Sequence, residues 1–465
     1  MDVLKRIWGW IDDRTGLAEI IEPIAKHPVP PGTDWWYVFG SATLFAFILQ
    51  VVTGTILAMS YVSSAGSAYE SLQFITNDAF LGGVLRGMHY WGASAMVLLV
   101  GIHAIRVFLT GSYKFPRELN WLTGTGLLLF TVAIGFTGQL LRWDQNAVWT
   151  AVVGAEQAGR VPFIGDLIAQ FILAGRTVGG ATLSRFFAIH VFVLPGAIFA
   201  FVGIHLYLVL RHGISEPPEA GRLVDPKSYR AWYHELLERH GRPFWPDAAW
   251  RDTVFGVAVI LVIILLAVIF GAPALTKPPD PSIIQANPRP DWYLLWYFAV
   301  LALIPPKIES YVIVLAPLLA GLVLVLVPFI SNQGERSPLR RPWAVGSVIF
   351  IVMMVGTLWI AGQRSAWSPD FTAKPLPTSV IGATSGPVYQ GGQLFYSKGC
   401  EYCHRISGYG GERGPNLSDV GNRLTSEQIT IRIINGGTNM PAFAGNITTQ
   451  ELNDLVAFLQ SRRSP

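Results

Sequence analysis

Seven stretches of this 465-residue chain are apolar for about 20 residues each, the length that an α-helix needs to cross a bilayer. They lie at about 36–61, 84–109, 123–141, 186–210, 254–270, 311–330 and 344–361. The alternative is a soluble protein with buried core helices, and seven such runs make it negligible. The composition, 51% hydrophobic and only 14% charged, is also unusual for a soluble enzyme. Since backbone polar groups in lipid must bond internally, the sequence predicts an all-α integral membrane protein with seven spans.

Lysine and arginine are concentrated in alternate loops between these spans. The N-terminal arm and the loops after spans two, four and six carry most of them, whereas the loop at 62–83 has none. By the positive-inside rule, the N-terminus is cytoplasmic and, after seven crossings, the C-terminus lies outside. The N-terminal MDVLKRIWGWIDDRTG is amphipathic and carries acids, which predicts a surface helix in contact with membrane lipid rather than a cleaved signal peptide. The net charge of +4 arises from the loops and indicates no nucleic-acid partner.

The C-terminal hundred residues differ in character from the rest. Residues 363–387 are rich in Pro, Ser and Thr and are predicted to be a linker, and 388–465 are polar and glycine-rich. This region contains CEYCH, with the chain's two cysteines, Cys400 and Cys403, directly before His404. C-x-x-C-H is the attachment motif of a covalent c-type haem. A zinc or dithiol site is the alternative, but no second cysteine pair exists to complete a zinc site.

Met440 is the one methionine of this C-terminal region and is the candidate for the second axial ligand of a c haem. Its alternative role is packing. His/Met ligation raises the haem potential, so the domain should accept electrons. Haem attachment of this type occurs on the outer face of bacterial membranes, which agrees with the charge-based topology. We therefore expect a multi-pass protein of the bacterial cytoplasmic membrane with a periplasmic C-terminal domain.

Two predicted spans each carry two histidines, His89 and His103 in the second and His190 and His205 in the fourth. Steps of fourteen and fifteen residues return nearly to the same helix face, about 21–22 Å further along. Two such helices could hold two stacked, non-covalent b haems, with His89 opposite His190 outside and His103 opposite His205 inside. An interhelical hydrogen bond is the alternative for a single membrane histidine. Zinc is disfavoured because the histidines of one helix are too far apart to share an ion.

Glycines in spans one and three repeat the fourteen-residue step and should let a flat macrocycle approach the backbone. They are Gly40, Gly54, Gly124 and Gly138. Glycine is common in membrane helices in any case. Arg86 and Arg106 each lie three residues from a histidine near a span end. They could pair with haem propionates, or they could be ordinary interfacial anchors.

These motifs resemble cytochrome b of the cytochrome bc family, the quinol-oxidising complexes of respiration and photosynthesis. RGMHYWGASAMVLLVGIHAIRVFLTGSYKFPRELNW, LRWDQ and TLSRFFAIHVFVLPG resemble the four-helix haem subunit of the chloroplast b/f kind, and 249–362 resembles its three-helix partner. GGQLFYSKG and LNDLVAFLQ resemble the flanking helices of a class I cytochrome c. The resemblance implies a four-helix dihaem bundle at 1–215, three further spans at 216–362, and, after the linker, a small all-α cytochrome c domain at 388–465.

Three positions depart from the family pattern. Val38 stands where the chloroplast kind has a cysteine that tethers an extra haem, so no covalent haem is expected in the membrane part. Arg142 replaces the proline of LPWDQ, a change that the sequence alone does not explain. The quinol-site signature Pro-Glu-Trp-Tyr appears as PDWY at 290–293, so that the carboxylate side chain of Asp291 is one methylene shorter.

The resemblance implies a proton-translocating quinol:cytochrome c oxidoreductase. Asp291 would take a proton from quinol at the outer site, although a helix N-cap is its alternative role. Tyr293 would bond the quinol or anchor at the interface. Arg251 and Asp252 match a pair near the inner quinone site of mitochondrial relatives, and plain helix capping is their alternative. The quinone is not identified by the sequence, and menaquinone is one candidate.

The family mechanism divides the two quinol electrons between two routes. One would pass through both b haems to a second quinone site, and the other through a Rieske iron–sulfur protein to the c haem. A Rieske cluster needs two cysteines and two histidines, so this chain, with its cysteines committed, requires a separate Rieske subunit. A downstream cytochrome or oxidase and a homodimer within a larger complex are also implied. The rival hypotheses are a non-bifurcating electron carrier between the quinone pool and the cytochrome c domain, and a structural anchor; the PDWY motif favours the enzyme.

Overall fold

The structure is a computed structural model, and it describes residues 2–279, 290–364, 373–411, 414–436, 440 and 442–463. Most of the described residues lie in helices. Its α-helices are α1 (Asp2–Thr15), α2 (Leu17–Ala25), α3 (Phe39–Ala58), α4 (Ala68–Asn77), α5 (Gly82–Leu109), α6 (Glu118–Leu140), α7 (Gln145–Gly159), α8 (Gly165–Leu173), α9 (Gly180–Ala188), α10 (Leu194–His212), α11 (Tyr229–His240), α12 (Ala249–Phe270), α13 (Leu295–Leu303), α14 (Pro306–Ile330), α15 (Pro342–Arg364), α16 (Thr378–Ile381), α17 (Gly386–Ser397), α18 (Val420–Arg423), α19 (Ser426–Asn435) and α20 (Thr449–Gln460).

Two short antiparallel strand pairs join loops that are distant in sequence. β1 (Pro28–Val29) pairs with β3 (Arg242–Pro243), and β2 (Leu223–Val224) pairs with β4 (Gly334–Glu335). The first pair connects the segment after α2 to the segment before α12, and the second connects the segment before α11 to the segment between α14 and α15.

Seven helical segments among the described residues are long and apolar enough to cross a membrane, as predicted. We number them as spans 1 to 7: Phe39–Ala58, Gly82–Leu109, Glu118–Leu140, Gly180–His212, Phe244–Phe270, Ile308–Ile330 and Pro342–Gln363. Large apolar side chains such as Leu318 and Phe350 are about two-thirds exposed, at 64% and 65%. Water would not stabilise such surfaces, whereas the hydrocarbon of a bilayer does.

Buried cations bind the C-terminal ends of three spans. Arg341 donates to the carbonyls of Phe108 and Leu109, both at 3.1 Å, at the end of span 2. The last carbonyls of a helix lack partners within it and carry partial negative charge, so a cation there is favourable. Two loop residues do the same for spans 4 and 6: Arg117 donates to Gly213 O at 2.9 Å, and Lys114 donates to Ser331 O at 2.6 Å and Gln333 O at 2.8 Å.

These three cations are at most 5% exposed. The loop charges from which the sequence predicted the orientation therefore also act as helix caps. Lys114 follows span 2 and caps span 6, while Arg341 precedes span 7 and caps span 2, so these two caps connect the four-helix and three-helix parts of the chain in both directions. Arg336, which pairs with the buried Glu216, also donates from Nε to Thr110 O at 3.2 Å and adds a further connection.

The chain divides into two compact units. Unit 1 comprises Met1–Trp143, Ala151–Leu275 and Pro305–Val355, and unit 2 comprises Asp144–Thr150, Thr276–Ile304 and Gly356–Pro465. These boundaries differ from the domain boundaries predicted at 215, 362 and 387, which remain predictions about the sequence.

The C-terminal part of unit 2 has its own hydrophobic core, built around α17 and α20. Phe395 and Phe458 are fully buried there, with ring centroids 5.8 Å apart. A Cβ at Gly391 would lie 2.0 Å from the carbonyl oxygen of Asp454, so the glycine permits the close approach of the two helices. Leu376 and Ile381 also belong to this core, although they lie within the segment predicted to be a linker.

Candidate functional site

The four histidines of spans 2 and 4 face one another in two layers, in the pairs that their depth predicted. The rings of His89 and His190 have centroids 6.3 Å apart and planes inclined by 75°. Metal–nitrogen bonds of about 2 Å place two imidazoles on opposite sides of one ion with centroids about 6 Å apart. His205 lies close enough to His103 for the two rings to interact electrostatically. The outer pair thus has the spacing that an intervening metal ion requires.

Threonine hydroxyls hold three of these rings in one tautomer. Thr53 Oγ1 lies 3.0 Å from Nδ1 of His89 and donates its own proton to Leu49 O at 2.7 Å. Because the hydroxyl proton is already used, the oxygen accepts a hydrogen bond from Nδ1–H, which leaves the Nε2 lone pair for a ligand. The same arrangement occurs at two other positions: Thr137 with His190 at 3.1 Å and Ala133 O at 3.0 Å, and Thr123 with His205 at 2.9 Å and Leu119 O at 2.9 Å.

Sequence reasoning missed these threonines. Their signal is the Thr-Gly pair that recurs at 53–54, 123–124 and 137–138. Partners of this kind orient a ligating histidine and raise its basicity. At the fourth position the glycine is preceded by Phe39, so the Thr-Gly pair is missing opposite His103.

The four glycines make room for the histidine rings. A Cβ at Gly138 would lie 2.6 Å from Cε1 of His190, and a Cβ at Gly54 would lie 3.0 Å from Cε1 of His89. Gly40 and Gly124 stand in the same relation to the second layer, at 3.0 Å from Cε1 of His103 and 3.4 Å from Cε1 of His205. In the structure each glycine lies against an imidazole from a neighbouring helix, and its role beside a haem macrocycle stays a prediction.

A π-helical turn at Ile189–Val193 contains His190, between α9 and α10. Hydrogen bonds in a π-turn run from residue i to i+5, so the turn holds one residue more than an α-helical turn. It therefore takes up the additional residue in the fifteen-residue step from His190 to His205. The two histidines of span 4 can then match the fourteen-residue step of span 2.

Arg86 and Arg106 are both buried, with 8% and 9% exposure, so neither is a solvent-exposed interfacial anchor. The Arg106 guanidinium stacks on Tyr37 at 3.8 Å from the ring centroid and donates to Ser112 Oγ at 3.2 Å. Its buried Nε has no hydrogen-bond partner among the residues that the structure describes, which fits an acidic group of a ligand held by His103. Arg86 instead donates to Thr76 Oγ1 at 3.1 Å and Pro273 O at 2.8 Å.

A buried aspartate from the LRWDQ motif anchors the start of the loop that leads to PDWY. Asp144 is fully buried, and its two oxygens accept bonds from the N–H groups of Ala147 and Thr276, each at 2.9 Å. Gln145 N donates to Lys277 O at 2.9 Å beside it. Sequence reasoning used this motif only for recognition and missed the role of Asp144.

Arg142, the residue that replaces the family proline, donates from Nη2 to Ala274 O at 3.0 Å. It therefore connects the end of span 3 to the segment that follows span 5, which supplies a structural role for the substitution.

Asp291 directly precedes a 3₁₀ turn at Trp292–Leu294, and α13 follows this turn. Its side chain makes no capping hydrogen bond to this turn, so the alternative N-cap role gains no support. Tyr293 lies in the turn, with its ring centroid 5.8 Å from that of Trp292, and is half-buried. Residues 280–289, which precede the motif, lie outside the described residues.

Asp252 in span 5 accepts a hydrogen bond from Ser41 Oγ of span 1 at 2.8 Å. The carboxylate thus bonds to a neighbouring helix, while the Arg251 guanidinium lies 5.7 Å from the ring of Trp250. Val38 begins the same helix as Ser41 and is 2% exposed. Sequence reasoning missed this contact of Ser41, because a serine in an apolar span carries no motif.

The CEYCH residues form part of the C-terminal core. His404 donates from Nδ1 to Pro415 O at 2.8 Å, and burial lowers its pKa, so a neutral ring presents Nε2. Cys400 and Cys403 are not joined in a disulfide. Cys400 and Met440 both pack against the same hydrophobic core. Among the described residues, no three His, Cys, Asp or Glu side chains form a metal cluster, so the zinc alternative gains no ligands there.

Comparison with known proteins gives three family matches along the chain. Residues 24–213 match Cytochrome b/b6/petB, residues 278–380 match Cytochrome b(C-terminal)/b6/petD, and residues 387–459 match Cytochrome C oxidase, cbb3-type, subunit III.

Individual relatives cover mainly the first part. The "Menaquinol:cytochrome c reductase cytochrome b subunit" of Geobacillus thermodenitrificans is 39% identical over 224 residues, which is 46% of this chain and all of that protein. "Cytochrome b6" of Heliobacterium mobile is 41% identical over 211 residues, 45% of this chain and 99% of that protein. A solved structure titled "Hyperthermophilic respiratory Complex III" is similar with a TM-score of 0.64 and 26% identity, over 85% of this chain and 96% of that chain.

Proposed function

The chain belongs to the cytochrome b/b6 family and has a cbb3-type cytochrome c domain at its C-terminus, and from this premise we propose that it oxidises quinol at an outer site and divides the electrons between two routes. It is a subunit of a quinol:cytochrome c oxidoreductase. The names of two relatives make menaquinone the proposed quinone. The observation that carries the proposal is the 6.3 Å separation of the His89 and His190 rings, each oriented by a threonine.

The proposed cofactors are two non-covalent b haems and one covalent c haem. Each haem would carry one electron at a time. His89 with His190 and His103 with His205 would hold the b haems, and Arg106 would donate to a propionate. Cys400 and Cys403 would hold the c haem covalently, and His404 and Met440 would bind its iron. With Val38 in place of the family cysteine, the membrane part supplies no thiol for a further covalent haem.

At the outer site, quinol oxidation releases two electrons and two protons. Asp291 accepts one of these protons. Its carboxylate makes no capping hydrogen bond to the turn at Trp292–Leu294 that would compete with this role. Tyr293 donates a hydrogen bond to the quinol oxygen. Asp144 holds the beginning of the loop on which both residues lie.

At the inner site, Asp252 and Arg251 are proposed to bind the second quinone, together with Ser41. Asp252 accepts from Ser41 and can pass a proton to a reduced quinone, while Arg251 attracts its negative charge. Proton release outside and uptake inside would make the reaction proton-translocating.

The Rieske partner is proposed from the cysteines of this chain, and the other partners are proposed from its apolar spans and its family. A separate Rieske subunit takes the first electron, because Cys400 and Cys403 are both committed to haem. Membrane lipid surrounds the spans, a downstream cytochrome or oxidase accepts electrons from the c domain, and the chain forms a homodimer within a larger complex. The proposed location is the bacterial cytoplasmic membrane, with the N-terminus in the cytoplasm and the c domain on the periplasmic side.

Reconstitution tests the divided electron path. The purified chain, with its haems intact, should not reduce its c haem rapidly from menaquinol until the Rieske protein is added. Addition should restore reduction that is sensitive to outer-site inhibitors. Rapid reduction by the chain alone, insensitive to those inhibitors, would favour the simple carrier.

The threonine partners give a further prediction. Thr137→Val keeps the shape of the side chain but removes the hydroxyl acceptor of the His190 ring, which then keeps only its hydrogen bond to the backbone of Ile134. Loss of such a partner typically weakens metal binding by about 10–100-fold. The haem of the outer layer should therefore transfer faster to an apo-haem protein, as followed by absorbance. Thr131→Val is the matched control, because Thr131 lies on the same helix and donates only to Leu127 O at 2.8 Å. Equal transfer rates for the two variants would contradict the orienting role of Thr137.

A further inference from the structure

Glu401 is a buried acid for which the proposed function has no use. It lies between the two cysteines of CEYCH and has 0% exposure. Neither carboxylate oxygen has a hydrogen-bond partner among the residues that the structure describes. The turn that ends the motif covers it: a Cβ at Gly410 would lie 3.2 Å from Glu401 Cγ, and Gly411 N–H donates to Glu401 O at 2.9 Å. An ionised carboxylate here has lost its hydrogen bonds to water and has gained none from the described protein groups, which is energetically unfavourable.

Lys398, the cation three residues before Glu401, has other partners. Lys398, at the end of α17, pairs with Glu451 at 3.0 Å and donates to Asn446 O at 2.9 Å. The titratable groups of the motif itself are Cys400, Cys403 and His404, and c-haem attachment would consume all three. Arg405 directly follows the motif. Two further charged residues, Glu412 and Arg413, follow the covering turn and lie outside the described residues.

Burial therefore dominates the titration of this carboxyl. It raises the pKa of Glu401 to about 7, so that the group can change its protonation state near neutral pH. A nearby charge that changes by one unit shifts such a pKa further, since Coulomb interactions are strong where water is excluded.

We propose that Glu401 is a proton-binding site that takes up one proton when the c haem on Cys400 and Cys403 takes up one electron. The electron comes from the donor of the domain and the proton from solvent, and the bond that forms is the O–H bond of the carboxylic acid. Reduction removes one positive charge from the iron, which makes the ionised carboxylate less favourable and raises its pKa. The reduced domain then holds one more proton than the oxidised domain between the two pKa values. This inference rests on the proposed function only for the presence of the c haem.

The test is a redox titration of the c haem in the purified holoprotein, with chemical mediators and without quinol. In a titration from about pH 5 to 9, the midpoint potential should be nearly constant below about pH 7, where both redox states hold the proton. Above about pH 7 it should fall with rising pH, approaching about 59 mV per unit, the shift for a tenfold change in a one-electron couple. Glu401→Gln keeps the size of the side chain but removes the proton site, so its potential should be nearly independent of pH. Glu451→Gln, in the same domain, is the matched control and should keep the slope.

Infrared difference spectra provide a second measurement on the unmodified protein. Reduction should produce the C=O band of a protonated carboxylic acid, which shifts in D₂O and is lost in Glu401→Gln. This band decides the matter even where the variant fails to take up haem, since its absence from the wild-type spectrum overturns the proposal.

Two further results would contradict the inference. One is a wild-type potential that does not change with pH, and the other is a slope that persists in Glu401→Gln, which would assign the proton to a haem propionate. Neither result touches the proposed function, because mediators replace quinol. A chain that carries no covalent haem would instead contradict the proposed function itself.

Discussion

Replacing His190 by leucine is expected to remove one of the two b haems and to stop electron transfer across the membrane. His190 is held by Thr137, faces His89 at 6.3 Å between ring centroids, and lies against Gly138. Leucine supplies no nitrogen ligand, and the remaining imidazole cannot hold the macrocycle from both sides. A pyridine haemochrome assay should change from two b haems per c haem in the wild type to one in the variant.

His212→Leu is the matched control for this experiment. His212 ends the same helix, and the structure uses its backbone carbonyl, which accepts from Arg117 at 3.2 Å, rather than its ring. That variant should keep two b haems. Retention of both b haems in His190→Leu would show that the outer layer is not a haem site.

Asp291→Asn is expected to slow quinol oxidation by about 10²–10⁴, the usual scale for loss of a general base. The amide has nearly the same shape as the carboxylate but cannot accept a proton at neutral pH. Turnover should be measured with menaquinol and the Rieske protein, after the assay confirms that both b haems are present.

Asp291→Glu restores the usual family residue and should keep substantial activity, so it controls for disturbance of the loop. Tyr293→Phe, in the same turn, should lower activity less, because it removes a hydrogen bond and leaves the proton acceptor in place. Near-normal turnover in Asp291→Asn would exclude the proton-transfer role.

The large-scale organisation was predictable because it depends on local patterns. Span lengths follow from runs of apolar residues, and all seven were recognised before any contact was known. The CEYCH motif carries its chemistry within five residues. The pairing of His89 with His190 followed from their equal depth in two helices that enter the membrane from the same side.

Other features depend on contacts between segments that are far apart in sequence. The glycines were recognised by their fourteen-residue step, but the ring that each accommodates belongs to another helix. Asp144 belongs to the LRWDQ motif, yet its hydrogen-bond partner Thr276 is 132 residues away in the sequence. The loop cations indicated the orientation, but only the structure shows Arg341 binding the end of span 2, more than 200 residues earlier.

The sequence by itself determined the class of protein, the spacing of the histidines and the cofactor motif, because hydrophobic periodicity and motif spacing are written along the chain. Only the tertiary structure decided which nitrogen of His89, His190 and His205 is free, how the π-turn takes up an extra residue, and that Glu401 is buried without a hydrogen-bond partner among the described residues. These are properties of what surrounds a side chain: a threonine on the next helix removes one tautomer, and a covering turn removes water from a carboxylate. The same residues in a different packing would have different chemistry, although their order in the sequence would not change.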